Sequence, residues 1–238
     1  MILASGSLAQ MDLSKVVLAI GSLGTAAYGV VDASKCFGGG VSNSGFGDIQ
    51  QVVSKFIPGD ANDKNAPALA LASVLATLRA NWLNGMALAD QKAIAKTLIK
   101  LNLRSDTANV MASAAGVDAA LLTSVANKLA TGEGLTQAET DVYGRFDLLL
   151  SSILDQGYER ADQRYRNTAK MLAVPIAVVL AILGGWTIVG EPFLAFLGSA
   201  DAVRALIAGL LATPLAPVAK DLSTAIQAAA KVAQSWKS

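Results

Sequence analysis

The chain has 238 residues, of which 53% are hydrophobic and only 16% charged, with a net charge of +1; ordinary soluble domains carry about 25% charged residues. That balance leaves no basic field for nucleic acid, and the absence of histidine removes the commonest general base and metal ligand. The single cysteine, Cys36, excludes an internal disulfide, a thiolate zinc site and a cysteine-held iron–sulfur cluster.

The first ten residues carry no basic side chain, unlike the start of a secretory signal. Met11 is an alternative start, because MDLSKVVLAI leads cleanly into an apolar helix. Residues 16–31 (VVLAIGSLGTAAYGVV) lie between Lys15 and Asp32 and predict a first membrane span. Gly21, Thr25 and Gly29 recur every four residues, forming a smooth stripe of the kind that lets helices approach closely in lipid. Asp32 and Lys35 crowd Cys36, which argues against a lipoprotein signal.

Residues 37–47 (FGGGVSNSGFG) read as a flexible linker. No Gly-Lys-Ser or Gly-Lys-Thr follows the glycines, so a phosphate loop is excluded. From Asp48 to residue 169 the signals are those of a helical domain, broken at Ile57-Pro58-Gly59-Asp60. Leu71, Val74, Leu75, Leu78 and Trp82 share one helix face. Asn84-Gly85 ends that helix, and Asp90 opens the next, in which Ile94, Leu98 and Leu101 are expected inward. Asp106 and Asp118 are candidate N-caps, and Thr136 with Glu139 forms a capping box.

No breaker follows Thr136 until the apolar run at 171–189 (MLAVPIAVVLAILGGWTIV). One long helix is therefore expected to run from the domain into a membrane span and to couple the two rigidly. At ~1.5 Å per residue the run covers roughly 28 Å, close to the hydrocarbon thickness of a bilayer. Arg160, Arg164, Tyr165, Arg166 and Lys170 precede it and Trp186 lies near its far end; these are expected at the membrane interface. Gly184 and Gly185 are candidate helix-packing residues. After Gly190-Glu191-Pro192, the stretch 205–219 (ALIAGLLATPLAPVA) is interrupted by Pro214 and Pro217. It reads as a third, kinked span, with a half-span as the alternative. Residues 220–238, with Lys220, Lys231, Trp236 and Lys237, suit an amphipathic tail at a membrane surface or a solvated helix.

The charged groups have structural readings beside their functional ones. Lys92, Lys96 and Lys100 lie on one face, either to meet anionic lipid or simply as a solvated surface. Asp147, Asp155, Glu159 and Asp162 are interleaved with arginines, which favours salt-bridge stitching over a metal site. Tyr158 and Tyr165 are seven apart and suit interfacial anchoring or a helix contact. Glu191 is a candidate pore-mouth residue should the protein form an oligomeric channel. No catalytic, cofactor or metal residues are identified.

Asn81 to Leu101 (NWLNGMALADQKAIAKTLIKL) and Gly144 to Asn167 (GRFDLLLSSILDQGYERADQRYRN), followed by an apolar span, resemble uncharacterised bacterial inner-membrane proteins. Those have an N-terminal span, a cytoplasmic helical domain and a C-terminal apolar hairpin. The resemblance implies architecture and no activity.

The expected fold is thus all-α: an integral membrane protein with about three membrane segments and a soluble helical domain. Its parts are an N-terminal transmembrane segment (1–36), the linker (37–47), a cytoplasmic domain (48–169), a transmembrane hairpin (170–219) and the tail (220–238). The basic flanks place the domain and C-terminus in the cytoplasm and the N-terminus outside. The expected role is non-enzymatic, with the lipid bilayer as one partner and no cofactor. The chain would act as a homo-oligomeric structural or scaffolding subunit of a bacterial membrane complex. The alternatives are an oligomeric ion channel with a cytoplasmic helical collar, and a membrane-bound enzyme.

Overall fold

A computed structural model describes residues 13–63 and 67–235. Met11, Trp236 and Lys237, singled out above, lie outside the described residues. Among the described residues there are helices and no strands. In chain order these are α1 (Leu13–Ala33), α2 (Asn43–Val53), α3 (Leu71–Leu83), α4 (Leu88–Leu101), α5 (Ala108–Ala115), α6 (Ala119–Thr131), α7 (Gln137–Val189), α8 (Phe193–Leu197) and α9 (Ala200–Ser235). Short 3₁₀ turns cover Ser34–Cys36 and Gly40–Ser42. Three helices (α1, α7 and α9) are long and apolar enough to cross a membrane. The chain forms two compact units: residues 38–166, and residues 1–37 together with 167–238.

The 38–166 unit is built around a conventional apolar core. Ile49, Val53 and Phe56 from α2 and the turn after it meet Val74, Leu78 and Trp82 of α3. Ile99, Met111 and Leu122 join them from α4, α5 and α6. The part of α7 in this unit supplies Phe146, Leu150, Leu154, Tyr158 and Ala161, spaced three or four apart along one face. Phe56 meets Phe146 edge-on at 6.5 Å between ring centroids.

Local signals explain the boundaries. The Asp118 carboxylate accepts the Leu121 backbone N–H at 2.8 Å as the N-cap of α6. Gly116 and Gly132 end α5 and α6 in the left-handed conformation. The Thr136 N–H donates to Glu139 at 2.7 Å and the Glu139 N–H donates back to Thr136 Oγ1 at 3.3 Å, completing the capping box of α7. Asp106 instead pairs with Arg104, and α4 starts two residues ahead of Asp90. The inward face of α4 is centred on Gln91, Ala95 and Ile99, leaving Leu101 58% exposed rather than inward.

Residues 37–47, expected as a linker, are largely folded. Gly38, Gly39 and Gly40 adopt positive φ, which makes a tight turn open to glycine. α2 begins at Asn43, with Gly45 and Phe46 buried. A Cβ on Gly45 would strike the Ala161 carbonyl, so this glycine is required by close packing.

In the other unit, α1 lies against α9. Gly21 meets Leu215 and Ala219, while Gly24 meets Ala212 and Ala216, so the two helices run antiparallel. α7 and α9 are antiparallel too: Gly185 meets Ala205, and Gly209 meets Val178. An N-terminus outside, with three crossings, would require α1 to run the same way as α9. α9 is also one continuous helix through Pro214 and Pro217. Each proline removes a backbone hydrogen bond and crowds the preceding turn without ending the helix, so 205–219 belongs to a third helix long and apolar enough to cross a membrane, as expected, and is not a half-span.

Candidate functional site

The residues that set the 1–37/167–238 unit apart are its small side chains. On α7, Ala169, Ala173, Ala177 and Ala181 are buried at intervals of four, with Ala173 and Ala177 0% exposed. The same interval leads to Gly185, which sits 3.1 Å from the Phe196 ring and 3.2 Å from Ala205 by its virtual Cβ. On α9, Ala202, Ala205, Gly209, Ala212, Ala216 and Ala219 face inward. Gly209 lets the α9 backbone approach that of α7 at Val178.

The large apolar side chains point the other way. Met171, Leu172, Val179 and Leu183 of α7 are exposed, as are Val203, Leu206, Ile207, Leu210, Leu211 and Val218 of α9. Of twenty-two exposed large hydrophobic residues among those described, eighteen belong to this unit. In water the pattern is reversed, because burying a Leu or Ile side chain is worth about 1.5–3 kcal/mol. Helices in lipid gain nothing by burying leucine and associate instead through close-packed small residues.

The anticipated packing residues divide accordingly. Gly21 and Gly185 lie in tight contacts. Thr25 is exposed and donates to the Gly21 carbonyl of its own helix at 3.1 Å. Gly29 and Gly184 have open space where a Cβ would stand. The tight seam on α1 runs through Gly21 and Gly24 and continues to the buried Ala27 and Val31. Spacing in the sequence could have found the alanines of α7, which recur every four residues up to Gly185.

The residues anticipated at the membrane interface have these surroundings. Arg164 pairs with the buried Asp48 at 3.1 Å, Arg166 with Asp162 at 2.6 Å, and Tyr165 stands edge-on to Trp82 at 6.3 Å. Arg164 and Tyr165 thus have partners in α2 and α3 of the 38–166 unit, whereas the Arg166–Asp162 pair is an exposed bridge along α7 itself. Arg160 and Lys170 are exposed. Trp186 donates to the Glu191 carbonyl at 2.8 Å and meets Phe193 edge-on at 5.2 Å, closing the turn between α7 and α8. Glu191 itself is exposed.

The lysine stripe of α4 is occupied within the chain. Lys92 pairs with Asp155 at 2.7 Å, and Lys96 and Lys100 grip Asp147 at 2.7 and 3.0 Å. Residue number rises along α4 as it falls along α7, so the three pairs stitch two antiparallel helices. Burial alone would raise the Asp147 pKa, but hydrogen bonds from Lys96 and Lys100 outweigh it and hold the carboxyl below its usual range. The Lys100 ammonium, also 5.0 Å from the Tyr143 ring centroid, is desolvated but held above its usual range by Asp147 and Tyr143. Hydrogen bonds from Lys128, Ser124 and Thr136 pull Glu139 down to about 2. Burial pushes the Tyr158 hydroxyl up.

A cleft of about 320 Å³ is lined by Pro58, Leu69, Asn102, Arg104 and Thr107. Its polar groups are engaged locally: Asn102 donates to the Leu69 carbonyl at 2.9 Å and Thr107 to the Asn102 carbonyl. Among the described residues no cluster of three or more acidic or cysteine side chains forms a metal-binding group. Compared with family models, curated proteins and solved structures, the chain matches none.

Proposed function

We propose that this protein is embedded in a bacterial inner membrane by the antiparallel pair of α7 and α9, with the 38–166 unit and the α9 tail in the cytoplasm. In this reading it acts without catalysis, as a homo-oligomeric structural subunit of a membrane complex. The observation that carries the membrane reading is the inverted side-chain pattern: alanine and glycine inside, leucine, isoleucine and valine outside.

Orientation follows from charge. Arg160, Arg164, Arg166 and Lys170 precede the apolar part of α7, and Lys220 and Lys231 follow that of α9. Excess Lys and Arg on short flanks mark the cytoplasmic side. Glu191 and Asp201 border the opposite turn, where a carboxylate in water costs little.

Self-association is supported by the outer face of α1. Ser22, Thr25, Ala26 and Gly29 are all exposed there at helical spacing, a smooth surface on which a second copy can close. The lack of histidine supports a non-catalytic role. The test is fractionation followed by mass measurement in detergent. The protein should resist alkaline extraction and then run as a defined multimer. Release by alkali removes the membrane reading, and a monomeric mass removes the oligomeric one.

A further inference from the structure

We propose that a groove between the first turns of α1 and the far part of α9 binds the headgroup of an anionic phospholipid. The proposal rests on the membrane reading above and concerns the 1–37/167–238 unit alone.

The groove runs beside the glycine seam. α1 and α9 approach closely where Gly21 meets Ala219 and Gly24 meets Ala212. Next to that contact, Leu18 and Ser22 of α1 and Ala219, Lys220, Ser223 and Gln227 of α9 help to line a groove of about 440 Å³. Its two ends differ in chemistry. Leu18 and Ala219 border the apolar stretch 205–219, while Lys220, Ser223 and Gln227 lie beyond it. Ala219 and Gln227 are eight residues apart, about 12 Å along a helix. A groove that is apolar at one end and cationic at the other, where a span ends, matches the region of a phospholipid in which the acyl chains meet the phosphate.

The open hydrogen-bond donors lie at the cationic end. Ser22 donates to the Leu18 carbonyl at 2.7 Å and Thr224 to the Lys220 carbonyl at 2.9 Å, so these hydroxyl protons are used within their own helices. Among the described residues the Lys220 ammonium, the Ser223 hydroxyl and the Gln227 amide have no partner. They are spaced three and four apart and share one helix face. Asp221 lies about 100° round the helix and does not line the groove. The register set at Gly21 and Gly24 brings the exposed Lys15 level with the turn that carries Ser223, so a second ammonium stands at the same end. Two cations and two neutral donors, with no carboxylate in the lining, complement a phosphodiester anion and offer nothing to the cation of a zwitterionic headgroup. The lipid phosphate is already at this level of the bilayer, whereas an acidic protein segment would have to be brought there.

Native mass spectrometry of the full-length protein, delipidated in detergent, tests this with dioctanoyl phosphatidylglycerol and dioctanoyl phosphatidylcholine as probes. Phosphatidylglycerol should bind the tighter of the two. Lys220→Gln should weaken its binding roughly fivefold and leave phosphatidylcholine unchanged. Lys231→Gln, on the same helix but outside the groove lining, should change neither. Equal losses in the two lysine variants would make the attraction one of diffuse charge and overturn the proposal. Equal binding of the two lipids, or displacement of phosphatidylglycerol by inorganic phosphate at the same concentration, would overturn it too. A multimer that dissociates in Lys220→Gln would give the groove to a second copy of the chain instead. Alkaline extraction of the unmodified protein separates the premises. Release removes the membrane reading and the proposal together, whereas retention without a preference for phosphatidylglycerol removes the proposal alone.

Discussion

Gly24 of α1 rests against the Ala212 carbonyl of α9 so closely that a Cβ at position 24 would overlap it. Gly29, five residues on, has nothing within 4 Å of its virtual Cβ. The two glycines therefore separate the seam within the chain from the surface left open. Gly24→Leu should destabilise the detergent-solubilised protein by about 1–3 kcal/mol, the usual cost of overpacking. Gly29→Ala should leave monomer stability unchanged or slightly raised. Thermal unfolding of both variants in one detergent checks this, with equal melting points as the contrary result.

Gly45 and Gly47 provide the same comparison in the 38–166 unit. Gly45 faces the Ala161 carbonyl, whereas Gly47 has open space. Gly45→Ala should lower stability by on the order of 1–3 kcal/mol, and Gly47→Ala should be neutral or mildly stabilising. Denaturant unfolding of the full chain in detergent distinguishes them. A harmless Gly45→Ala would restore residues 37–47 to the status of a linker.

Much of this fold was legible in the sequence, and the exceptions have physical causes. The long α7 was readable because no proline or cap signal interrupts the chain between Thr136 and the apolar run, and Pro175 alone does not break a helix held on both sides. The face of α3 from Leu71 to Trp82 was readable from spacing. Which glycines of α1 meet a neighbour was not, because Gly21-Thr25-Gly29 and Gly21-Gly24 are equally smooth until the register with α9 is known. Helix direction was hidden for the same reason. The glycines of 37–47 looked flexible by composition, yet Gly39 and Gly45 answer steric demands set by residues far along the chain. The alanines of α7 were visible but ambiguous, since alanine is also the commonest helix filler.

The Asp147 carboxylate is shared by Lys96 and Lys100. Asp147→Asn would leave two ammonium groups facing each other without their anion. It should cost about 1 kcal/mol, more than either Lys96→Ala or Lys100→Ala. A double-mutant cycle in chemical unfolding measures the coupling, and additive effects would show that the lysines act as an independent solvated face.

Glu139 supplies a pH dependence. Its pKa is pulled down to about 2 in the folded chain, below the ordinary carboxylate value near 4.3. A depressed pKa adds stability above the unfolded value, and that contribution is lost as pH falls from about 4.3 towards 2. Asp147 shifts in the same direction. Glu139→Gln should therefore flatten the acid limb of the stability profile between about pH 4.3 and 2, read by melting temperature against pH. Parallel profiles for the two proteins would contradict the assigned network.

The central claim is that the large apolar side chains of α7 and α9 face lipid. A spin label at Leu210, introduced as Leu210→Cys in a Cys36→Ser background and reconstituted in liposomes, tests it most directly. Leu210 is 50% exposed on α9 with Leu206, Ile207 and Leu211 exposed around it. Collision with oxygen should dominate over collision with a water-soluble nickel chelate. Relaxation dominated by the nickel chelate would place this face in water and contradict the account.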